Sequence, residues 1–147
     1  MKKNLINFSM FTVFLLTLFG CSNEVPQEFD WSQLTRVDVQ IFTGENNSIE
    51  TLITEKEKML TLRELFAKIK WEQNVKAEMV RKEDVKASLF FTYDKDMPER
   101  IFEYAIWFNQ RDKAATIIDK EKNALGTLIK EDAQKLKDTL VNNKKSK

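Results

Sequence analysis

The chain has 147 residues, with 24 lysines and arginines against 23 aspartates and glutamates, and it contains no histidine, one cysteine and three glycines. Without histidine there is no Ser/His or Cys/His triad and no use of the commonest zinc ligand, and the three scattered glycines exclude glycine-rich nucleotide-binding loops. The near-zero net charge gives no attraction to nucleic acid, and the length suits one domain.

The first twenty residues have the order of a secretory signal. Lys2 and Lys3 precede an apolar run from Leu5 to Gly20. That run is shorter than the roughly 20 apolar residues that a membrane-spanning helix needs, and it ends in small and polar residues. We therefore predict a cleaved signal peptide at residues 1–20, with an uncleaved N-terminal anchor as the alternative.

The only cysteine follows this run directly, so an internal disulfide is impossible. Leu18, Phe19, Gly20 and Cys21 resemble the lipobox of bacterial lipoproteins, in which the cysteine sulfur receives a diacylglyceryl group and the signal is cut just before it. The resemblance implies lipidation of Cys21 and a location on the extracytoplasmic face of the cell membrane. Two acyl chains give stable anchoring, whereas one gives only marginal membrane binding.

The next segment, residues 21–33, is polar apart from Phe29 and Trp31 and contains Pro26. We predict that it is a tether between the lipidated cysteine and the domain. Twelve fully extended residues span about 40 Å at most, which keeps the domain close to the bilayer. Trp31 is predicted to pack on the domain, and a position among the lipid headgroups is the alternative.

Residues 34–141 are predicted to form a single α+β domain, followed by a basic tail at 142–147. Alternating residues in RVDVQIF and SIETLIT, separated by the turn TGENN, predict a hairpin. Thr54 and Glu57 match a capping box ahead of an amphipathic helix that reaches Lys70. The pattern after Trp71 is too weak for a prediction over residues 72–84.

In VKASLFFTY and IFEYAIWFN alternate residues share a strand face, and these two runs with KAATIID predict three more strands. A final helix is predicted from about Leu128 to Val141, with Leu128, Ala133, Leu136 and Leu140 on its inner face. The predicted order is β-β-α-(β)-β-β-β-α. Such an order is typical of an antiparallel β-sheet with two helices packed on one face.

Four features of the sequence point to one kind of protein. They are the lipoprotein signal, the strand Tyr104, Ala105, Ile106 and Trp107, the short strand after it, and the leucine-rich C-terminal helix. In these features the chain resembles small uncharacterised Bacillus-type lipoproteins with a YhfM-like domain. The resemblance covers roughly residues 35–141. It implies the fold and the location, and it brings no catalytic motif and no functional residue.

Two polar groups were weighed as catalytic or metal sites. Lys86 and Ser88 lie on one strand face, as a Ser/Lys pair requires, but an activated lysine needs burial, so a polar stripe is the preferred interpretation. Asp94, Asp96 and Glu99 share a loop, as calcium ligands can, but their spacing departs from the EF-hand, so we predict an ordinary turn. We predict no catalytic residue, no metal site and no cofactor.

Aromatic residues occupy both faces of the hairpin at 85–109. Two helices can cover only one face of a sheet, so the remaining rings are candidates for an exposed partner surface. The alternative is that the tether and residues 72–84 fold over them. The candidate binding patch comprises Phe90, Phe102, Tyr104 and Phe108 on one side, and Trp107 on the other.

These features predict a non-enzymatic binding or interaction domain of the cell envelope. Its predicted partners are the membrane, through the lipid at Cys21, and an unidentified envelope protein or ligand, but not nucleic acid. The alternative is a small envelope hydrolase or transferase that works with carboxylates alone.

Overall fold

The computed structural model describes residues 30–44 and 46–142. A short 3-10 turn at Trp31–Gln33 leads into seven strands and two helices. In chain order these are β1 (Leu34–Phe42), β2 (Ser48–Ile53), α1 (Lys56–Ala67), β3 (Lys70–Glu72), β4 (Val85–Phe91), β5 (Arg100–Phe108), β6 (Ala115–Asp119), β7 (Ala124–Leu128) and α2 (Lys130–Val141).

All seven strands belong to one antiparallel sheet with the order β2-β1-β4-β5-β6-β7-β3. The predicted α+β class, an antiparallel sheet with two helices, is confirmed. The predictions for the signal peptide, for Cys21, for the tether as far as residue 29 and for the basic tail from residue 143 concern residues outside the described part of the chain. Within the described part of the chain, neither helix combines the length and the hydropathy needed to span a bilayer.

The core lies between one face of the sheet and the two helices. Period-two alternation supplies the sheet side, as in β4, where Val85, Ala87, Leu89 and Phe91 are all buried and the residues between them are half-buried. The helices contribute the buried residues Met59, Leu62, Leu65, Phe66, Ala133, Leu136 and Leu140. Each fully buried large apolar side chain stabilises the fold by about 1.5–3 kcal/mol relative to an exposed one.

The first helix differs from its prediction at both ends. The capping box of Thr54 and Glu57 is wrong, because the N-cap residue is Glu55 and its side chain makes no capping hydrogen bond. The helix ends at Ala67 rather than Lys70, because the chain there turns into β3, which pairs with β7. Pairing with a distant strand therefore overrides the helical periodicity at this end.

Two short strands complete the sheet: β3 stands where the predicted order has a strand in brackets, and β7 is additional to that order. Strand β3 has three residues, and β7 has five and contains Gly126 at its centre. Leu128, predicted to begin the last helix, is the final residue of β7, where it pairs with Ala115. Helix α2 begins two residues later, at Lys130, so Leu128 is not part of its predicted inner face, whereas Ala133, Leu136 and Leu140 are buried as predicted.

The other face of the sheet is partly covered by residues 73–84, which connect β3 to β4. The amide of Val75 donates to the carbonyl of Asn123 at 3.1 Å, and the Trp107 indole Nε1 donates to the carbonyl of Arg81 at 2.9 Å. Trp107 is 4% exposed as a result. The alternative prediction, that this segment folds over aromatic residues, therefore describes Trp107 correctly.

An ion pair fastens the end of that segment to β5. Arg81 Nη1 and Nη2 donate to Asp84 Oδ1 and Oδ2 at 2.6 and 2.9 Å, and Asp84 Oδ2 also accepts the Phe108 amide at 2.7 Å. Burial opposes ionisation of Asp84, but the hydrogen bonds from Arg81 and Phe108 outweigh it and hold the pKa of the carboxyl below its usual value.

Replacing Asp84 by asparagine is expected to lower the free energy of unfolding at pH 7 by roughly 1–2 kcal/mol, a modest figure because the carboxylate is partly exposed. A carboxyl whose folded pKa is depressed stabilises the protein above its unfolded pKa, near 3.8, and that contribution disappears as the pH falls through the folded pKa. Urea unfolding at pH 7 and pH 3 should therefore show a difference between wild type and variant that shrinks in acid.

Asp96→Asn is the matched control, since Asp96 is exposed in the loop between β4 and β5. Its effect should stay within about 0.5 kcal/mol at both pH values. A difference for Asp84→Asn that is as large at pH 3 as at pH 7 would contradict the assignment of the effect to the carboxylate charge.

Candidate functional site

The predicted aromatic patch is not one surface. Strand β4 pairs with β5 so that Leu89 faces Phe102 and Phe90 faces Ile101. Phe102 and Tyr104 therefore share the helix-covered face, whereas Phe90 lies on the opposite face. The predicted grouping of Phe90 with Phe102 and Tyr104 is wrong, because alternation fixes the faces within a strand but not the register between two strands joined by a long loop.

Burial separates the five patch residues further. Tyr104 and Trp107 are 3% and 4% exposed, on opposite faces, while Phe102 and Phe108 are partly buried against the core. Phe90 lies under the guanidinium of Arg36, whose Cζ is 3.7 Å from the ring centroid. A broad exposed aromatic surface of these five residues is therefore not present.

The predicted polar stripe, Lys86 and Ser88, lies on the sheet face that the helices do not cover, and both residues contact a carboxylate. Lys86 Nζ lies 2.9 Å from Glu103 Oε1, and Ser88 Oγ donates to the same oxygen at 3.4 Å. The lysine and the serine thus meet at a carboxylate on β5 rather than each other. Lys86 is paired with a carboxylate and partly exposed, so it lacks the burial that the activated lysine of a Ser/Lys mechanism needs.

The acidic loop between β4 and β5 is a turn. Asp94 Oδ1 accepts the amide of Asp96 at 3.0 Å, and Glu99 Oε1 accepts the hydroxyl of Thr92 at 3.3 Å. Over residues 30–44 and 46–142, no three acidic, histidine or cysteine side chains are grouped so that they could hold a metal ion.

A groove of about 800 Å³ lies beside the end of α2 and is lined by charges of both signs. Arg81 and Asp84 dominate one wall, where they satisfy each other and the backbone of Phe108. These groups serve the attachment of residues 73–84 to the sheet. We regard the groove as a consequence of that structural ion pair.

A smaller cleft of about 180 Å³ opens at the other end of the sheet, beside the first described residues, and we call it the aromatic cleft. Four aromatic side chains line it, together with a carboxylate and a lysine. Its lining residues are Trp31, Phe66, Ala67, Trp71, Gln73, Tyr104, Asp119, Lys122 and Ala124.

Each ring reaches the aromatic cleft from a different element. Trp31 stands in the 3-10 turn that Asp30 caps by accepting the Ser32 amide at 3.0 Å, and Phe66 comes from the last turn of α1. The centroids of the Trp31 and Phe66 rings are 5.6 Å apart. Both residues belong to or pack against the core, as predicted for Trp31, so the wall that they form is fixed by packing.

The facing wall comes from the sheet. Tyr104 lies on β5 with its ring centroid 5.4 Å from that of Phe66 and 5.8 Å from that of Trp71. Trp71 lies on β3 opposite Gly126, the residue of β7 whose missing side chain leaves room for the indole. The sheet edge thus brings together residues that are far apart in sequence.

Asp119 supplies the charge of the aromatic cleft. It pairs across the sheet with Tyr104 and is 5% exposed, the one buried charged residue in the described part of the chain. Its Oδ1 accepts the amide of Lys122 at 3.0 Å. Burial, followed by the negative charges of Asp119 and Glu121, raises the pKa of the Tyr104 hydroxyl above its usual value.

Sequence reasoning named Tyr104 as a site residue but missed Trp71 and Asp119. For Asp119 a signal was present, because the aspartate occupies the same phase of alternation as the buried Ala115 and Ile117. A charge in phase with core positions is uncommon and indicates a special role. Trp71 carried no comparable signal, since β3 is only three residues long.

The site so defined is an aromatic cleft with a single buried carboxylate, on an antiparallel α+β fold. No family model matches the sequence, and a search of curated proteins finds no significant match. Among solved structures, the chain is similar to a thioesterase-like protein from Clostridium sporogenes ATCC 15579, with a TM-score of 0.53 and 19% sequence identity. The similarity covers 76% of this chain and 97% of that protein, and at this identity it shows a shared fold alone.

Proposed function

We propose that this chain is a membrane-anchored extracytoplasmic lipoprotein, lipidated at Cys21, whose domain binds a ligand in the aromatic cleft and catalyses no reaction. The observation that carries the binding role is the composition of the cleft, which combines four aromatic rings with one buried carboxylate. Concave sites with apolar walls and a few placed polar groups are the usual form of ligand sites in proteins.

The location rests on the sequence and agrees with the position of the cleft. Trp31, which lines the cleft, directly follows the polar segment that begins at Cys21. Ten extended residues span about 35 Å at most, so a lipid on Cys21 would keep the cleft within that distance of the bilayer surface. The ligand is therefore a component of the envelope, either at the membrane surface or within reach of it.

Binding is favoured over carboxylate catalysis because the aromatic cleft holds a single acid. Glycoside hydrolysis, the best-known reaction that runs on carboxylates alone, needs two of them about 5–9.5 Å apart across the substrate. Of the residues that the structure describes, Asp119 is the only acidic one that lines the cleft. Lys86 and Ser88 both contact Glu103 rather than each other, so they do not form the Ser/Lys pair that a catalytic reaction would need.

The size of the cleft restricts the ligand. At about 180 Å³ it is smaller than the roughly 300–1,000 Å³ of sites for drug-sized molecules. It therefore suits a headgroup, a small metabolite or one side chain of a larger partner.

The test is to purify the full-length protein from its native envelope in a neutral detergent and to identify co-purifying lipids and small molecules by mass spectrometry. The amount of a cleft ligand that co-purifies should fall at least about tenfold in Trp31→Ala, because a tryptophan at the centre of an interface contributes about 2 kcal/mol or more to the free energy of binding. Tyr93→Ala is the control, since Tyr93 is an exposed aromatic residue, 45% accessible, that does not line the cleft.

If the domain binds its ligand in the cleft, Trp31→Ala and Tyr93→Ala must differ in the amount of ligand that co-purifies with them. The same molecules in the same amounts from wild type, Trp31→Ala and Tyr93→Ala would contradict it. Circular dichroism of the three proteins should be the same, because Trp31 precedes the sheet and is only partly buried.

A further inference from the structure

The carboxylate of Asp119 is in an unusual position for a charged group. Buried charges in proteins are normally paired with an opposite charge or bound to a metal, because removal from water is costly. Among the described residues, Asp119 forms no ion pair, and its one hydrogen bond engages Oδ1. The second oxygen, Oδ2, has no hydrogen-bond donor in this part of the chain, although it belongs to a residue that lines the cleft.

The nearby lysine does not serve as its counter-ion. Lys122 Nζ lies 5.6 Å from the centroid of the Phe102 ring, and the ion pairs of the described residues include none between Lys122 and Asp119. The backbone of Lys122, rather than its ammonium group, is what contacts the carboxylate. Position 119 therefore presents a negative charge towards the cavity.

The aromatic lining groups favour a cationic ligand as well. Aromatic rings carry a negative face that attracts cations, and tryptophan is the most effective of them. Trp31 and Trp71 line the cleft with Phe66 and Tyr104, and the ring centroids of successive neighbours lie 5.4–5.8 Å apart. Several rings and a carboxylate in the lining of one small cavity are the groups from which aromatic cages for substituted ammonium groups are built.

We infer that the aromatic cleft is a site for a small organic cation, a primary or substituted ammonium group, with Asp119 as its counter-ion. The inference rests on the proposed binding function and specifies its ligand class. The volume of about 180 Å³ admits a group of a few heavy atoms and excludes a large polycation from the interior. The same chemistry is found in soluble amines and in the headgroups of aminolipids.

The test is a titration of the full-length protein, in neutral detergent at constant ionic strength, with tetramethylammonium chloride. Intrinsic tryptophan fluorescence reports on Trp31 and Trp71, which line the cleft. Saturable binding is expected for wild type. Neopentyl alcohol, a neutral probe of similar size, should bind at least about tenfold more weakly.

Asp119→Asn isolates the charge, because asparagine keeps an oxygen to accept the Lys122 amide. It should raise the dissociation constant for tetramethylammonium by about tenfold or more, whereas the exposed control Asp96→Asn should leave it within about twofold. Displacement of the probe by ethanolamine would indicate a soluble amine as the natural ligand. Displacement by phosphatidylethanolamine vesicles alone would indicate a lipid headgroup.

Three results would overturn the inference. These are equal binding of the cationic and the neutral probe, equal affinity of wild type and Asp119→Asn for the cation, and the absence of binding by either probe. The first two would leave the cleft as a binding site without charge selectivity. The proposed function itself fails on a different result, namely co-purifying molecules that are unaffected by Trp31→Ala.

Discussion

Replacing Cys21 by serine is expected to abolish the incorporation of labelled palmitate into the full-length protein and to remove its stable association with the membrane as a mature form. A thiol is the nucleophile that accepts the diacylglyceryl group in the lipoproteins that the signal resembles, and a serine hydroxyl is not activated for that reaction. Two acyl chains contribute about 0.8 kcal/mol of membrane binding for each buried methylene, so their loss is the largest single effect expected in this protein.

The measurement combines metabolic labelling, fractionation and intact-mass spectrometry in a bacterial host that processes lipoproteins. Wild type should begin at Cys21 and carry the mass of the lipid, and Ser22→Ala, one residue away, should behave as wild type does. A wild-type protein without label that still carries residues 1–20 would contradict the lipoprotein proposal and would favour the uncleaved anchor.

Alternation made much of the sheet predictable. In β4, β5 and β6, and in β1 from Val37 onward, residues on the helix-covered face alternate with residues on the other face, and most of those on the helix-covered face are apolar. In such a strand the sequence alone shows which residues are buried, so the buried face can be predicted without knowing which strands lie beside it. The same argument failed for β3 and β7, because three residues show no period and Gly126 interrupts the other pattern.

The candidate site was predictable only in part, because it depends on pairing between strands. Phe90 and Phe102 were assigned to one surface, but the register of β4 with β5 places them on opposite faces. Trp31 and Trp71 line one cleft because β3 pairs with β7 at the sheet edge, close to the 3-10 turn. No local property of either tryptophan contains that information, since it arises from long-range topology.

Asp119 shows what local reasoning can still add. The aspartate is in phase with Ala115 and Ile117, so the sequence indicates a carboxylate on the core-facing side of β6. Its role in a cleft follows only when Tyr104 is placed opposite it and Phe66 above it. A charge in a core phase is therefore a useful local indicator of a site, and the structure supplies its surroundings.

Replacing Gly126 by alanine is expected to lower the free energy of unfolding by roughly 2–3 kcal/mol, towards the upper end of the usual cost of overpacking. A Cβ at this position would lie 2.5 Å from Ile69 Cγ2 and 2.8 Å from Trp71 Cζ3, both closer than van der Waals contact allows. Ile69 is 6% exposed and β-branched, so it has little freedom to move away. The strain therefore falls on Trp71 and on the pairing of β3 with β7.

Urea unfolding of the full-length protein in detergent measures this loss, and Gly44→Ala is the matched control. Gly44 lies in the turn between β1 and β2 with nothing within 4 Å of an added Cβ, and its φ is not positive, so its replacement should be neutral or stabilising by up to about 1 kcal/mol. Combining Gly126→Ala with Ile69→Ala should cost less than the sum of the two single changes, because the smaller side chain removes the clash. Equal effects of Gly126→Ala and Gly44→Ala would show that Trp71 is not held against Gly126, and one wall of the aromatic cleft would then lose its support.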